Sequence, residues 1–477
     1  MITRIFFNYG GALHFVTTHP TIIEFNNPKS KIQNRMTKPK ISKKVSTSLI
    51  NSLGAGVVPR VGLEHIAVGR EKELKSLVQN IEDVAQGAAA FRFVIGNYGS
   101  GKSFMLQLVR NQAIELGFVV TDADLSLERR LAGGSNQGLA TYRELMSRLA
   151  TKTRPDGGAF VSILEGWINN IKQEVVQVSV MKPNDEGFED AVEKKIREVV
   201  QQIEDLVHGF DFGSVIVAYW RGYRLDDDDL KNAALRWLRG EFSTKKEAKT
   251  ALGVRVIIDD ESWYDYVKLL AKFVAEIGYK GLLVLLDEAV HLYQVSPKAS
   301  RDKNYSKLLA IFNDTMQCKA EYLGVIIGGT VKFLEDPNRG LFSDAAWRRR
   351  TKESRFVAKA GVQEYNGPVI KLNPLSESEI LNLLEKLTDI HALNYNYQKS
   401  LTKSDLKEFV KEIVNRLGAE ALLTPGEIVR DFISVLNILH QNPQMNLSKI
   451  INDSDFKPTK IGRDTEVDED NVAEFSL

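Results

Sequence analysis

The segment Gly96-Asn97-Tyr98-Gly99-Ser100-Gly101-Lys102-Ser103 decides the fold of this chain. It fits the pattern G-x-x-x-x-G-K-[ST], in which backbone N–H groups of a glycine-rich loop close around a phosphate group. A β-rich run, residues 91–95, precedes it and a helical pattern follows it, which is the context that the motif requires. We therefore predict a P-loop that binds ATP. Lys102 is expected to reach the β- and γ-phosphates, and the Ser103 hydroxyl is expected to bind Mg²⁺.

A P-loop needs an acidic partner at the end of a buried strand. The apolar run 281–286 has the pattern of a strand buried on both faces, and Asp287 and Glu288 follow it directly. Asp287 is expected to orient Mg²⁺ through water. Glu288 is expected to act as the general base on the attacking water, which favours hydrolysis over binding alone. The alternative is that the two carboxylates only cap the next helix.

The alternation of strand and helix patterns predicts an α/β fold with a mostly parallel sheet between helices. The strand candidates are the runs 91–95, 118–120, 281–286, 323–327 and 369–372. The two motifs lie far apart in the chain with few strands between them, so residues 135–250, which have helical patterns, are predicted to be an insertion. Within it, Asp226 to Asp229 are expected to mark a helix N-terminus, with a cation site as the alternative.

The composition excludes several classes of protein. The chain has 477 residues with 63 Lys and Arg against 62 Asp and Glu, so a protein-wide basic field for nucleic acid is excluded, although a local patch is not. A single cysteine, Cys318, excludes an intramolecular disulfide and a multi-cysteine zinc site. Every apolar run is too short to span a bilayer. These features predict a cytoplasmic protein with no membrane partner.

Beyond these motifs the chain resembles the AAA+ ATPases, specifically their origin-recognition-like branch. Val68-Gly69-Arg70 resembles the box on the adenine side of that branch, and Gly328-Gly329-Thr330 resembles sensor 1. Residues 424–432 resemble a sensor 2 helix, with Arg430 as its arginine. The resemblance implies that ATP and Mg²⁺ bind between the α/β core and an α-helical lid, and that Thr330 contacts the γ-phosphate or the attacking water.

Other segments are similar to a narrower group, the BrxD family of ATP-binding proteins from bacteriophage-exclusion (BREX) systems. They are Asp122-Ala123-Asp124-Leu125-Ser126, Gly138-Leu139-Ala140-Thr141-Tyr142-Arg143-Glu144-Leu145, Asp287-Glu288-Ala289-Val290-His291-Leu292-Tyr293 and Arg339-Gly340-Leu341-Phe342-Ser343. The resemblance implies a phage-defence ATPase that acts with DNA and a partner such as a helicase or methyltransferase. The alternatives are an origin-recognition-like initiator or loader ATPase outside phage defence, and a scaffold that binds ATP with little turnover.

One arginine near residue 350 is expected to serve a neighbouring subunit. Arg350 fits the register of the BREX family, while Arg355 fits the general AAA+ pattern. The resemblance implies that one of them acts in trans as an arginine finger in a homo-oligomer. A basic run on the surface is the alternative.

The same analysis predicts the domain organisation. Residues 1–35 are expected to be an extension before a true start at Met36, or else a short N-terminal hairpin. Residues 36–63 are expected to be a basic leader. The stretch 29–60, which has no acidic residue, is expected to be a solvated arm or an arm that touches phosphate backbone. Residues 64–360 are predicted to form the ATPase core, 361–455 the helical lid and 456–477 an acidic tail.

Overall fold

The computed structural model describes residues 41–179, 181–352, 364–417 and 424–451, with the side chains of 414–417 excluded. The described residues from Lys43 onward belong to one compact unit, and the account below concerns that unit. The predictions made for residues 1–35, for Met36, for Arg355 and for the tail 456–477 lie outside the described residues.

A five-stranded, fully parallel sheet forms the centre of the fold, in the strand order β2-β3-β4-β1-β5. The strands are β1 (Ala89–Ile95), β2 (Val119–Asp124), β3 (Leu282–Asp287), β4 (Leu323–Gly329) and β5 (Val369–Lys371). Each corresponds to one of the predicted strand runs. The predicted α/β class with a parallel sheet is therefore confirmed.

Helices cover both faces of the sheet because alternate residues of each strand point to opposite sides. On β1, Phe91, Phe93 and Ile95 belong to one apolar cluster and Val94 belongs to the other. The helices α2 (Glu71–Val84) and α3 (Lys102–Glu115) contribute to the cluster around Val94. The opposite face is covered by α10 (Trp263–Glu276), α12 (Lys298–Met316) and α14 (Ala345–Thr351), whose buried Trp347 packs on Phe93 with ring centroids 5.6 Å apart.

The chain between β2 and β3 is helical, as predicted for residues 135–250. Its helices are α4 (Gln137–Ser147), α5 (Phe160–Ser179), α6 (Phe188–Glu204), α7 (Gly209–Leu225), α8 (Asp228–Leu238), α9 (Lys245–Leu252) and α10. Their apolar residues join the cluster on the α10 face of the sheet, so this region shares one core with the strands. The Asp227 side chain accepts from Leu230 N–H at 3.0 Å and caps α8, which supports the helix-start interpretation of the aspartate run.

Further elements are two short helices that follow strands and a group of helices at the C-terminal side of β5. Two short helices, α11 (Val290–Gln294) and α13 (Val331–Glu335), follow β3 and β4. The C-terminal helices are α15 (Glu377–Tyr395), α16 (Lys403–Leu417), α17 (Pro425–Gln441) and α18 (Leu447–Ile451). A capping box between Ser376 and Glu379 fixes the start of α15. Among the described helices, none combines the length and the apolar character that a membrane span requires.

The structure corrects the prediction for the basic leader. Residues 43–54, which we expected to belong to a solvated or phosphate-contacting arm, form helix α1 (Lys43–Gly54) and pack on α15 and α17. Leu49 and Ile50 are buried, and the hydroxyls of Ser46 and Thr47 donate to Asn394 Oδ1 on α15 at 3.0 and 2.8 Å. The few apolar residues of this segment lie on one helical face, so docking on the C-terminal helices buries them together.

Candidate nucleotide site

The P-loop segment, residues 96–103, connects the end of β1 to the start of α3 and depends on its glycines. Gly99 and Gly101 have φ angles of 73° and 91°, a region that L-residues with side chains rarely adopt. At Gly96, a Cβ atom would overlap the Ser100 hydroxyl. The backbone can therefore fold tightly at the N-terminus of α3, where N–H groups without helical partners are available to bind an anion.

Lys102 is the first residue of α3, and its side chain turns back into the loop. Its Nζ donates to the carbonyl oxygens of Gly96 at 3.3 Å and Asn97 at 3.0 Å. Burial lowers the pKa of Lys102, while the negative charges of Asp287 and Glu288 act in the opposite direction. The ammonium group is thus held among the loop carbonyls, next to the two carboxylates of the second motif.

Two oxygen-bearing side chains meet at the start of α3 and the end of β3. The Ser103 hydroxyl donates to Asp287 Oδ2 at 2.6 Å. Proteins commonly bind Mg²⁺ through a hydroxyl and a carboxylate that lie next to a phosphate-binding loop, with phosphate oxygens as further ligands. Close by, Ser100 Oγ is buried and makes no hydrogen bond to any described residue. The residues present therefore fit Mg²⁺ bound together with a phosphate-bearing ligand.

Glu288 has an unusual backbone conformation for its residue type. Its φ angle is 57°, and its N–H donates to Asp287 Oδ1 at 2.8 Å. Burial raises the pKa of Glu288, the charge of Asp287 raises it further, and the charges of Lys102 and His291 lower it. A carboxylate with a raised pKa beside a phosphate site is chemically suited to take a proton from water.

Strand β4 lies between β1 and β3 and connects the two motifs through its last residues. Gly96 N–H donates to the Gly329 carbonyl at 3.2 Å, and Ala289 N–H donates to the Gly328 carbonyl at 3.0 Å. A Cβ atom on Gly328 would overlap the Asp287 carboxylate. Thr330 follows directly, and its hydroxyl accepts from Phe333 N–H at 3.2 Å to cap α13. The structure thus brings Thr330 to the same sheet edge as both motifs.

The segment 68–70, predicted to lie on the adenine side, packs against the P-loop segment. Arg70 is buried, and its Nη2 donates to the Ser100 carbonyl at 3.1 Å and to the Asn373 carbonyl at 2.6 Å. Arg70 also forms an ion pair with Glu73 at 3.6 Å. Val68 is buried, while Gly69 has a φ angle of 67° and leaves no room for a Cβ atom beside Glu379 on α15. Arg70 therefore connects the phosphate loop to the chain that leads into the C-terminal helices.

The start of α17 reaches the P-loop segment, but the predicted sensor 2 arginine lies further along that helix. Thr424, which caps α17, touches Gly99 so closely that a Cβ atom on Gly99 would overlap its side chain. Arg430 extends beside Gly56, with its Cδ 3.5 Å from where a Cβ atom on Gly56 would stand. The contact that the structure shows for the Arg430 side chain is thus with the segment that follows α1.

The arginine predicted to act in trans is held on α14. Arg350 Nη1 donates to the Ala346 carbonyl of the same helix at 3.1 Å, and the residue is half-buried. Tyr98 of the P-loop segment is largely exposed.

Sequence reasoning missed Asp124, which belongs to the same sheet edge. The register of β2 and β3 places Asp124 beside Asp287, and Leu125 N–H donates to the Asp287 carbonyl at 3.0 Å. Burial raises the pKa of Asp124, and Arg148 acts against this shift. The sequence does show an acidic residue at the end of the strand run that starts at Phe118. Its relation to Asp287 becomes visible only once the strand order is known, because β2 then lies next to β3.

Comparison with known proteins identifies the family. A family model described as BREX system ATP-binding protein BrxC/D matches residues 41–455. This match covers most of the chain, so the chain belongs to that family, and the predicted resemblance is confirmed. The search of curated proteins gave no match.

Proposed function

We propose that this BREX ATP-binding protein hydrolyses ATP to ADP and phosphate at the edge of the sheet where the P-loop segment, Asp287 and Glu288 meet. The observation that carries the proposal is the 2.6 Å hydrogen bond between Ser103 and Asp287, with Glu288 next in the chain. This hydrogen bond brings together the phosphate-binding loop, the two side chains suited to Mg²⁺ and the Glu288 carboxylate, whose pKa is raised. A protein that only binds ATP has no need of a general base.

Each side chain takes a separate role in the proposed reaction. The loop N–H groups and Lys102 bind the β- and γ-phosphates. Ser103 and Asp287 would hold Mg²⁺, which would neutralise charge on the phosphates. Glu288 accepts a proton from the attacking water as the water oxygen bonds to the γ-phosphorus, while the bond from that phosphorus to the bridging oxygen breaks and ADP leaves. Thr330 orients that water or the γ-phosphate. Lys102 needs its positive charge for its role: burial lowers the pKa of Lys102, and the charges of Asp287 and Glu288 act against that shift.

Two variants separate binding from turnover. Lys102→Ala is expected to abolish ATP binding, because the loop loses the ammonium group that compensates phosphate charge. Glu288→Gln is expected to keep ATP binding and lose turnover, because an amide of the same shape cannot take a proton. Binding is measured by calorimetry with ATP and Mg²⁺, and turnover by phosphate release.

The matched control is Glu115→Gln. It makes the same chemical change at the last residue of α3, which forms an exposed ion pair with Lys152. It is expected to leave both quantities unchanged. Equal rates of phosphate release for the Glu288→Gln variant and the unaltered protein would remove Glu288 as the base. Binding without turnover in the unaltered protein would favour an ATP-dependent scaffold.

The domain roles are part of the same proposal. Residues 64–360 act as the ATPase core and 361–455 as a lid that moves over the site during turnover. Support comes from two contacts, Thr424 against Gly99 and Glu379 against Gly69, which join the C-terminal helices to the loops of the site. Membership of a BREX family supports an association with DNA and with partner enzymes such as a helicase or methyltransferase. A loader ATPase acting outside phage defence is the alternative.

A further inference from the structure

We propose that helix α9, in the helical region between β2 and β3, carries a surface that binds the phosphate backbone of nucleic acid. The helix begins after the Thr244 cap and ends at Leu252, before the C-cap Gly253. Lys245, Lys246 and Lys249 are exposed on it. Arg255, two residues beyond the C-cap, is exposed as well.

The lysines share one flank of the helix. At about 100° per residue, Lys245 and Lys249 lie one turn apart on the same side, with Lys246 next to them. Ala248 is buried and fixes which side of α9 faces the protein. The acidic residue of the helix, Glu247, lies towards the other flank, where it accepts a hydrogen bond from Arg236 at 2.8 Å. The charge of Glu247 is therefore directed away from the lysine flank.

Within the described part of the chain, Lys245 lies near enough to Asp259 for the two charges to interact, but the lysines of this flank make no direct ion pair. None of Lys245, Lys246, Lys249 and Arg255 forms an ion pair there within 4.0 Å, whereas Lys268, on α10, contacts two aspartates. Between residues 236 and 258 the sequence has six Lys and Arg against two Asp and Glu. Three acidic residues follow, of which Asp260 accepts from the N–H groups of Gly133 and Gly138, and Glu261 pairs with Lys303. In a chain whose overall charge is nearly balanced, this is a local patch that attracts polyanions.

The chemistry of the patch favours phosphate over a protein or membrane partner. Residues 236–258 are all described, and no large hydrophobic side chain among them is exposed. Trp237 and Phe242, the largest of them, are buried. The core of a protein interface is rich in aromatic residues, and a membrane-surface helix needs an apolar face. Neither is present here, while backbone phosphates need only charges at suitable positions.

This inference deepens the proposed association with DNA, but it does not depend on ATP turnover. The test uses the full-length protein and a fluorescein-labelled random-sequence duplex, with anisotropy measured over a range of salt concentrations. The variant is Lys245→Gln/Lys249→Gln. The matched control is Lys407→Gln/Lys411→Gln, which removes two exposed lysines with the same spacing from α16.

The slope of log affinity against log salt is expected to fall by about 2 in the α9 variant, one unit for each lost phosphate contact, and to stay unchanged in the α16 control. Equal slopes for all three proteins, or no binding of the duplex by the unaltered protein, would overturn the proposal. The same titration with polyglutamate tests an acidic protein as the partner. If the α9 variant loses affinity for polyglutamate but keeps the salt slope of duplex binding, the partner is an acidic protein and not nucleic acid. Phosphate release measured in parallel tests the proposed ATPase separately.

Discussion

At the scale of single residues, Gly99 must be glycine for two reasons, its backbone conformation and its contact with Thr424. Its φ angle of 73° lies in the region that favours glycine, and Thr424 from the start of α17 occupies the space that a Cβ atom would need. A side chain at this position would therefore strain the backbone and also press on the C-terminal helices. The first effect belongs to the loop alone, while the second depends on the neighbouring helix, so the two can be separated by mutation.

We expect Gly99→Ala to weaken ATP binding by about tenfold or more, because a left-handed conformation costs an L-residue roughly 1–2 kcal/mol and Thr424 adds a steric conflict. Gly99→Ala/Thr424→Gly should recover part of the affinity, since glycine at a helix N-cap costs only a few tenths of a kcal/mol relative to threonine. Thr424→Gly alone is the control. Calorimetry with a non-hydrolysable ATP analogue measures all four proteins. No recovery in the double variant would show that the contact with Thr424 is unimportant.

At the scale of elements, Asn394 adds a set of hydrogen bonds to the apolar packing that holds α1 on the proposed lid. Asn394 accepts hydrogen bonds from the hydroxyls of Ser46 and Thr47 through its Oδ1 atom, and its carbonyl accepts from Lys43 Nζ. Asn394 and Ser46 are buried, so water cannot readily replace the lost partner. Because α1 also packs on α17, we infer that it moves with these helices during turnover.

Asn394→Ala is expected to loosen α1, because a buried polar group without its partner costs about 1–3 kcal/mol. The measurement is hydrogen exchange of the α1 amides, whose protection should fall by about tenfold or more in the native state. Lys399→Ala, which breaks an exposed ion pair with Asp389 in the same region, is the control and should change protection little. Unchanged exchange in the Asn394→Ala protein would show that apolar packing alone holds α1.

A second element-scale feature is the buried imidazole of His391 on α15. Its ring nitrogens contact Tyr397 Oη at 2.8 Å and Asn437 Oδ1 at 3.0 Å, and the rings of Tyr395 and His440 pack beside it. Burial lowers the pKa of His391, the hydrogen bond with Asn437 opposes this shift, and the charge of His440 lowers it further. The neutral ring is thus the form that the folded state favours.

The stability of the C-terminal helices should therefore decrease in acid. In the unfolded chain a histidine takes up a proton near pH 6.5, whereas folded His391 does so only at lower pH. Unfolding is then favoured as the pH falls from about 6.5 towards the lowered value. His391→Gln should lose less stability than the unaltered protein between pH 7.5 and 5.5 in thermal unfolding. Equal losses for the two proteins would contradict this assignment.

At the scale of the whole molecule, the parts predictable from sequence are those whose pattern is local. The strands of a buried parallel sheet appear as short apolar runs, and the loop 96–103 has a fixed spacing, so both could be recognised directly. Helix α1 could not, because its apolar residues are few and its partner Asn394 lies on α15, hundreds of positions later. The proximity of Asp124 to Asp287 depends on strand order, which no local pattern encodes.

The remaining question at this scale is whether one molecule forms a complete site. Arg350 lies on α14, which the buried Trp347 anchors in the core. Its hydrogen bond to the Ala346 carbonyl uses one of the five N–H groups of a guanidinium, so donors remain for a second partner. We propose that this partner is the γ-phosphate in a neighbouring subunit, with Arg355 as the second candidate.

Arg350→Ala is expected to keep ATP binding and to lower the turnover rate by about 10³-fold or more, since arginine fingers contribute about 10³–10⁵ in rate. Arg349→Ala, an exposed neighbour on the same helix, is the control. The decisive measurement mixes the Arg350→Ala protein with the Lys102→Ala protein. The first has an intact pocket and no finger, and the second has the reverse, so a junction that joins the two intact halves should restore phosphate release. If neither Arg350→Ala nor Arg355→Ala is rescued by mixing, and the mass in saturating ATP is that of a monomer, the reaction is completed within one chain.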